Sequence, residues 1–379
     1  MRGHVRKRGR TWSFVLDIGR NSETRKRQQR WHSGYRTKKE ASDALTDALS
    51  KLNSGMYVEP SKQTVAEYLR EWIEAIKPTV RPTTWASYKG NVEQHLIPAI
   101  GSIPLQQLAA PRLNIFYAKL LENGRKDGRK GGLSARSVRY VHAILHRALS
   151  DAVRWNRLAR NVADAADRPR AGRPEMKTWT ATELRAFLGH VADDEFSTAY
   201  LLLAMTGARR GEVLGLRWRD VDLDGGRLSI VQTLIAPGYK LAFSTPKNGK
   251  SRSIAVDPGT VEALRVQRKR QLEQRLAFGP DWSDSDLVFT HADGTPVDPV
   301  LFSKRFDRAV KASGLPTIRL HDLRHSHATL ALRAGIHPKV VSERLGHSTV
   351  GITLDVYSHV TEPMEQAAAA TVAALVLEG

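Results

Sequence analysis

The 379-residue sequence contains no cysteine. That excludes disulfides, a cysteine nucleophile and thiolate metal sites, and makes a reducing compartment the simplest setting. No apolar stretch approaches the roughly 20 residues that a membrane-spanning helix needs. The start of the chain has no apolar h-region, so a secretory leader is not expected. Acidic residues are scarce: 39 Asp and Glu face 59 Lys and Arg, a formal charge of +20. Such an excess predicts a polyanionic partner, with nucleic acid ahead of an anionic membrane. Apolar residues make up 41% of the chain, enough for globular cores. The length is too great for one ordinary core, and two or three domains are expected.

The basic excess is concentrated at one end. Residues 1–40 carry 13 Lys and Arg against 3 Asp and Glu. Within them T-W-S-F-V-L-D-I, at 11–18, has the composition of a β-strand, with strand candidates on either side at 4–8 and 27–33. Thr37 is placed to cap a helix through Ala41, Ala44, Leu45 and Ala48 to Leu52. Trp12, Phe14, Trp31 and Tyr35 supply core or stacking groups that a disordered basic arm would lack. A basic three-stranded sheet with one helix is therefore expected over residues 1–58. Its cations Arg6, Lys7, Arg8, Arg10, Arg25, Lys26 and Arg27 are candidate DNA contacts, since a twisted sheet face can enter a major groove.

After a linker-like stretch at 54–62, Thr64-x-x-Glu67 is a capping box. Val65, Tyr68, Leu69, Trp72, Ile73 and Ile76 follow at helical spacing. A second helix begins after Pro82-Thr83 and carries Tyr88, Val92 and Leu96, and a third covers residues 111–121. N-G-R-K-D-G-R-K-G-G at 123–132 reads as a flexible basic loop. A last helix spans 134–155 with Val138, Val141, Leu145, Leu149 and Ala152 inward. Residues 63–165 are thus expected to form a compact four-helix domain. Its outer cations, Lys89, Arg136, Arg139, Arg147 and Arg154, can lie along a DNA backbone and release counterions. Residues 166–178, rich in Pro, Gly and Arg, form a linker. Thr180-x-x-Glu183 then caps the first helix of a third domain, 179–379. The fold class is multidomain and mainly α: a small basic β-sheet-plus-helix module, a helical domain, and a mixed α+β domain. The last has a small antiparallel sheet over 228–235, 239–245 and 252–256.

The third domain carries the residues suited to chemistry. Arg209 lies in T-G-A-R-R-G-E, after an apolar helix that Gly207 ends in a sharp turn. A guanidinium fixed there can fork two phosphate oxygens. Lys247 stands beside an Asn248-Gly249 turn, with Lys250 nearby, where a lysine can donate a proton to a leaving 5′ oxygen. Arg324, in H-D-L-R-H-S-H, supplies a second fork. With Arg209 it can bracket the charge that builds on a five-coordinate phosphorus. His321 is placed to hydrogen-bond the phosphate or take a tyrosine proton, and His347 to donate a further hydrogen bond. Tyr357, in L-D-V-Y-S-H, is the candidate nucleophile; a free phenol, with a pKa of ~10, needs cations and a base beside it. His321 and His325 also have the i, i+4 spacing of a zinc pair. The glutamate of that motif is absent, no third ligand is evident, and Arg324 repels a cation. No metal and no other cofactor is expected, and His325 and His327 are read as capping or packing groups.

H-D-L-R-H, L-G-H and Y-S-H, with T-G-A-R-R-G-E upstream, resemble the signature boxes of the tyrosine recombinases of phage integrase type. The likeness is strong over the C-terminal half and one of layout over the N-terminal half. It implies a catalytic set of Arg209, chosen over Arg210 and oriented by Glu212, with Lys247, His321, Arg324, His347 and Tyr357. It implies a site-specific recombinase that cuts and rejoins DNA through a 3′-phosphotyrosine without ATP or metal, integrating or excising a phage or mobile element. Residues 1–58 would bind arm-type sites, 63–165 would be a core-binding (SAM-like) domain, and 179–379 the catalytic domain. The implied partners are double-stranded attachment sites, a tetramer assembled on DNA, an excisionase and a host DNA-bending protein, with no membrane. The Ala-rich tail, 362–379, would pack on a neighbouring protomer or on its own domain. The implied setting is a prokaryotic cytoplasm, at the nucleoid. The rivals are a type IB topoisomerase, disfavoured by the basic N-terminal module and the box spacing, and a DNA-binding regulator with an inactive catalytic fold. The intact set of six candidates stands against the second.

Overall fold

The computed structural model describes residues 3–20, 25–53, 57–172, 176–246, 249, 251–357, 373–374 and 376–377. The chain divides into two compact units, Met1–Gly172 and Arg173–Gly379.

In the first unit β1 (Gly3–Arg8), β2 (Thr11–Arg20) and β3 (Arg27–Tyr35) form an antiparallel meander. Alternation along β2 assigns its faces. Phe14 and Leu16 meet Leu45 and Ala48 of helix α1 (Lys38–Asn53) in a small core. On the other face Ser13 and Ser33 join their hydroxyls at 3.0 Å. Thr37 caps α1 as expected, accepting from the Glu40 backbone at 3.1 Å.

A larger core in the same unit is built by α2 (Val65–Ile76), α3 (Pro82–Asn91), α4 (Ile97–Ile100), α5 (Ala110–Asn123) and α6 (Ala135–Arg154). Both halves of the first capping box form: Thr64 accepts from Glu67 N–H at 3.2 Å, and Glu67 accepts from Thr64 N–H at 2.8 Å. The apolar stripe of α2 is buried along its length. Two of its side chains bring a polar tip inside and satisfy it on α6. The Tyr68 hydroxyl donates to the Ala148 carbonyl at 2.6 Å, and Trp72 Nε1 donates to Asp151 at 2.8 Å. The second helix starts at Pro82 and carries Tyr88, Val92 and Leu96 as expected, but it is not α-helical throughout. A π-helical turn at Val92–Leu96 joins α3 to α4, with Ile97 N–H reaching back to the Val92 carbonyl. Pro98 accounts for it: proline offers no N–H, and its ring crowds the carbonyl four residues earlier.

The second unit opens with α7 (Ala181–His190), capped by Thr180 and Glu183, then α8 (Ser197–Thr206) and the short α9 (Arg210–Leu214). Where one sheet was expected there are two. β4 (Val221–Asp222), β5 (Arg227–Ile230), β6 (Thr233–Ile235), β7 (Ala242–Ser244) and β8 (Arg252–Ala255) pair as β4-β5-β8 and as β6-β7. The strand expected over 228–235 breaks because its second half leaves to pack on α9. Gln232 donates to the Gly215 carbonyl at 2.9 Å. A Cβ on Gly211 or Gly215 would lie 2.5 or 2.8 Å from the Leu234 backbone. Among the described residues β7 and β8 therefore sit in different sheets rather than in one hairpin. Helices α10 (Pro258–Phe278), α11 (Pro299–Ser313), α12 (Asp322–Arg333), α13 (Pro338–Leu345) and α14 (Val350–Tyr357) complete the unit. Trp179, Phe187, Tyr200, Phe302 and Phe306 centre its core. Trp179 also seats α12, since its backbone N–H donates to Ser326 at 2.9 Å.

No helix among the described residues is long and apolar enough to cross a membrane. Of the tail only 373, 374, 376 and 377 are described, all helical and exposed, so the expectation about its packing lies outside the described residues.

Replacing Trp72 by alanine removes the largest buried side chain of the first unit and takes the donor from Asp151 Oδ2, leaving Oδ1 paired with Arg154. The expected loss is about 3–5 kcal/mol, read as a lower urea midpoint by circular dichroism.

Candidate active site

Arg209, His321, Arg324 and His347 are described with their side chains; Tyr357 is described as the last residue of α14; Lys247 lies outside the described residues. The site is assembled around the end of α8. Gly207 terminates that helix in the left-handed region, with φ of 63°. A Cβ there would stand 2.5 Å from Leu345 and 2.8 Å from His327. Glycine is therefore required both by the turn and by the approach of α12 and α13. The turn places Arg209 in extended conformation at the N-cap of α9. Its Nη2 donates to the Gly346 carbonyl at 3.2 Å and its Nη1 to Glu212 at 2.9 Å.

Glu212 is only 1% exposed. Its carboxylate accepts four hydrogen bonds, two from each of two arginines. Arg209 contributes its backbone N–H at 2.9 Å and its Nη1, and Arg252 contributes Nη1 at 3.1 Å and Nη2 at 2.6 Å. Burial pushes the carboxyl up, but the hydrogen bonds and charge of Arg252, with those of Arg209, outweigh it and hold Glu212 at about 2.

Arg324 is buried on the first turn of α12 and donates to the Gly207 carbonyl at 2.8 Å, so the turn that sets the backbone of Arg209 also anchors the Arg324 guanidinium. Asp322, between His321 and Arg324 in the sequence, belongs to the scaffold: Arg319 holds it through a fork at 2.7 and 3.0 Å. His325 packs edge-to-face on His321 with centroids 5.2 Å apart. His327 is wedged against α8, its Nδ1–H donating to the Ala204 carbonyl at 3.0 Å. Both thus pack, as expected.

α13 ends at Gly346, again left-handed with φ of 67°, and His347 follows. Its Nδ1 is bonded to Thr353 of α14 at 2.8 Å, one turn before Tyr357. Both imidazoles are held well below their ordinary range. His321 is lowered to about 4 by desolvation, then by His325, Arg324 and Arg209; His347 is lowered to about 4 by desolvation, then by Arg324 and Arg209. Each histidine thus feels both arginines, which brings the four groups into one site. At neutral pH the site offers two guanidiniums and two uncharged imidazoles, a set that can bind a phosphodiester and accept a phenolic proton.

The expected DNA-contacting residues lie in the first unit. Arg6, Lys7, Arg8, Arg10, Arg25 and Lys26 are exposed, with Arg8 5.4 Å above the Trp31 ring. Arg27 is exposed but paired with Asp17 at 2.6 Å. Lys89 is half-buried, 5.1 Å over the Trp85 ring and 3.8 Å from Glu93, while Arg136 and Arg139 are exposed on α6.

The sequence reading missed Arg252 and Arg344. Arg344 donates to the Ala255 carbonyl at 2.8 Å and to that of Met205 at 3.0 Å, tying α13 to β8 and α8. Arg252 had a signal: it lies two residues before buried Ile254 on β8, hence on the inward face.

Comparison with known proteins adds three family matches: the phage integrase family over residues 178–363, the N-terminal SAM-like domain of phage integrases over 64–121, and an arm DNA-binding domain over 4–52. A protein named tyrosine recombinase XerC-like, from Caldanaerobacter subterraneus subsp. tengcongensis, is 25% identical over 370 residues, 92% of each chain. The fold is similar to that of the Tn1549 transposon integrase, solved in complex with a circular intermediate DNA. The TM-score is 0.67 at 21% identity, covering 82% of this chain and 99% of that one. It is also similar to lambda integrase, solved as a tetramer bound to a Holliday junction, with TM-score 0.60 at 17% identity over 93% and 94% of the two chains.

Two outcomes are expected. Gly207→Ala should cost about 1–3 kcal/mol from strain and overpacking, measured by urea titration. His321 and His347 titrate near 6.5 when unfolded and near 4 when folded, so the unfolded chain binds more protons in between. DNA-free stability should be fully present above pH 6.5 and fall as the pH drops towards 4. A His321→Asn/His347→Asn protein should show a shallower decline.

Proposed function

This chain belongs to the phage integrase family and is a tyrosine recombinase, and from that premise we propose that Tyr357 attacks a DNA phosphodiester held by Arg209 and Arg324. The observation that supports this most directly is that Arg324 bonds the carbonyl of Gly207, two residues before Arg209, while Arg209 bonds the carbonyl of Gly346, next to His347, with both guanidiniums within electrostatic reach of His321 and His347. The two forks neutralise the non-bridging oxygens, where charge grows on the five-coordinate phosphorus. His321, neutral at working pH, takes the phenolic proton, and His347 donates a hydrogen bond to the phosphate. The Tyr357 oxygen–phosphorus bond forms as the bond to the 5′ oxygen breaks. Lys247 delivers the proton to that oxygen, a role that rests on its place in the sequence. The 3′-phosphotyrosine keeps the energy of the broken bond, so a 5′ hydroxyl from a partner strand can reverse the step without ATP or metal.

Residues 1–58 bind arm-type sites and 63–165 the core site, with 166–178 linking them to a catalytic domain, 179–379. Exposed Arg6, Lys7, Arg8, Arg10, Arg25, Lys26, Arg136 and Arg139 contact phosphates. Arg27 and Lys89 do so less, being partnered within the protein. The protein acts as a tetramer on two attachment sites and passes through a Holliday junction, as the lambda integrase structure suggests by analogy. An excisionase and a host bending protein set direction, and the setting is a prokaryotic cytoplasm, at the nucleoid.

The test is covalent trapping. The protein is incubated with nicked fragments of its source genome in EDTA and denatured in SDS, and the attached DNA is sequenced. A 3′-linked adduct at a few loci, lost in Tyr357→Phe, is expected. Salt-sensitive binding without any adduct would replace this reading with a binding-only regulator. Relaxation of supercoiled DNA without recombination would favour a topoisomerase.

A further inference from the structure

We propose that Arg252 is a positioning residue for strand cleavage, setting the geometry of Arg209 through their shared carboxylate and locking β8 to the turn that presents His347. The inference rests on the chemistry proposed above. Arg252 is the first residue of β8, five residues beyond Lys247 in the sequence. Its side chain is 12% exposed, and all three guanidinium nitrogens are engaged. Nη1 and Nη2 fork Glu212 at 3.1 and 2.6 Å, and Nε donates to the Arg344 carbonyl at 3.0 Å. The guanidinium also lies against Gly346, where a Cβ would come within 3.0 Å of Nη1. Gly346 is the residue whose carbonyl receives Arg209 Nη2. One side chain therefore ties β8, the N-terminus of α9 and the C-terminus of α13 together.

Nothing in this arrangement puts Arg252 on the substrate. All three of its guanidinium nitrogens are bonded within the protein and its side chain is 12% exposed, against 26% for Arg209. Its effect on catalysis is relayed through Arg209 and His347. Lysine at this position would keep the charge but not the fork.

The experiment measures the single-turnover rate of covalent adduct formation on a nicked duplex recovered by trapping. DNA affinity is read by fluorescence anisotropy and folding by circular dichroism. The proteins are wild type, Arg252→Gln, Arg252→Lys, Arg209→Lys, and each Arg252 variant combined with Arg209→Lys. Arg252→Gln should slow adduct formation by roughly 30-fold or more while DNA affinity stays within about threefold, because only alignment is lost. Arg252→Lys should recover part of that rate. In the Arg209→Lys background either Arg252 substitution should cost about threefold or less, the non-additivity of residues acting as one unit. If Arg252→Gln does not fold, the same cycle with Arg252→Lys decides. A wild type that forms the adduct beside an Arg252→Gln protein of equal rate overturns this inference alone, as do effects that multiply in full. A wild type that forms no adduct overturns the underlying chemistry.

Discussion

A buried carboxylate between two arginines is the constraint on which the second unit's candidate site depends. Glu212 has almost no access to water. Its charge would be strongly unfavourable there without partners, and either arginine alone would leave part of it uncompensated. With both, every oxygen is occupied, and the group is ionised despite its burial. The geometry that follows is restrictive. Arg209 cannot rotate away without uncovering Glu212, and Arg252 cannot follow it without releasing the carbonyl of Arg344. The second guanidinium, on Arg324, is fixed by an independent bond to the Gly207 carbonyl. Two chain reversals, at Gly207 and Gly346, bring the donors and acceptors within reach, and both need a left-handed residue.

Much of this was legible locally. The capping boxes at Thr64 and Thr180, the apolar stripe of α2, the strand composition around Phe14 and the helix-ending glycines are short-range signals. The structure realises each of them. Box residues drew notice one by one because their chemistry is distinctive, and the structure brings Arg209, His321, Arg324 and His347 near one another. What the sequence concealed was long-range or competitive. The single sheet split because small residues in α9 let β6 come close, a preference that strand composition does not register. The π-turn before α4 follows from Pro98, whose effect falls on residues before it. Arg252 looked like another surface cation among many. Its inward register beside Ile254 was the clue, and it needed the strand boundary to be read.

The first unit uses its charge differently. Its cores are apolar with internally satisfied tips, as at Tyr68 and Trp72, and the cations stay at the surface. Some are held by neighbours: Arg27 by Asp17, Lys89 by Glu93 and Trp85. Others, on β1 and on α6, are exposed. Local pairing thus grades the basic residues, and net charge alone does not rank them.

The depressed imidazoles carry one last implication. Guanidiniums do not release protons in proteins, and His321 and His347 have already given theirs up at any pH well above 4. Across the acidity a living cell experiences, the described part of the site therefore keeps one fixed charge when no DNA is bound. Acid stress or a shift in growth phase leaves it as it was. A tyrosine recombinase whose described site residues hold their charge over that range has to be restrained by shape, through when and where its parts are allowed to come together.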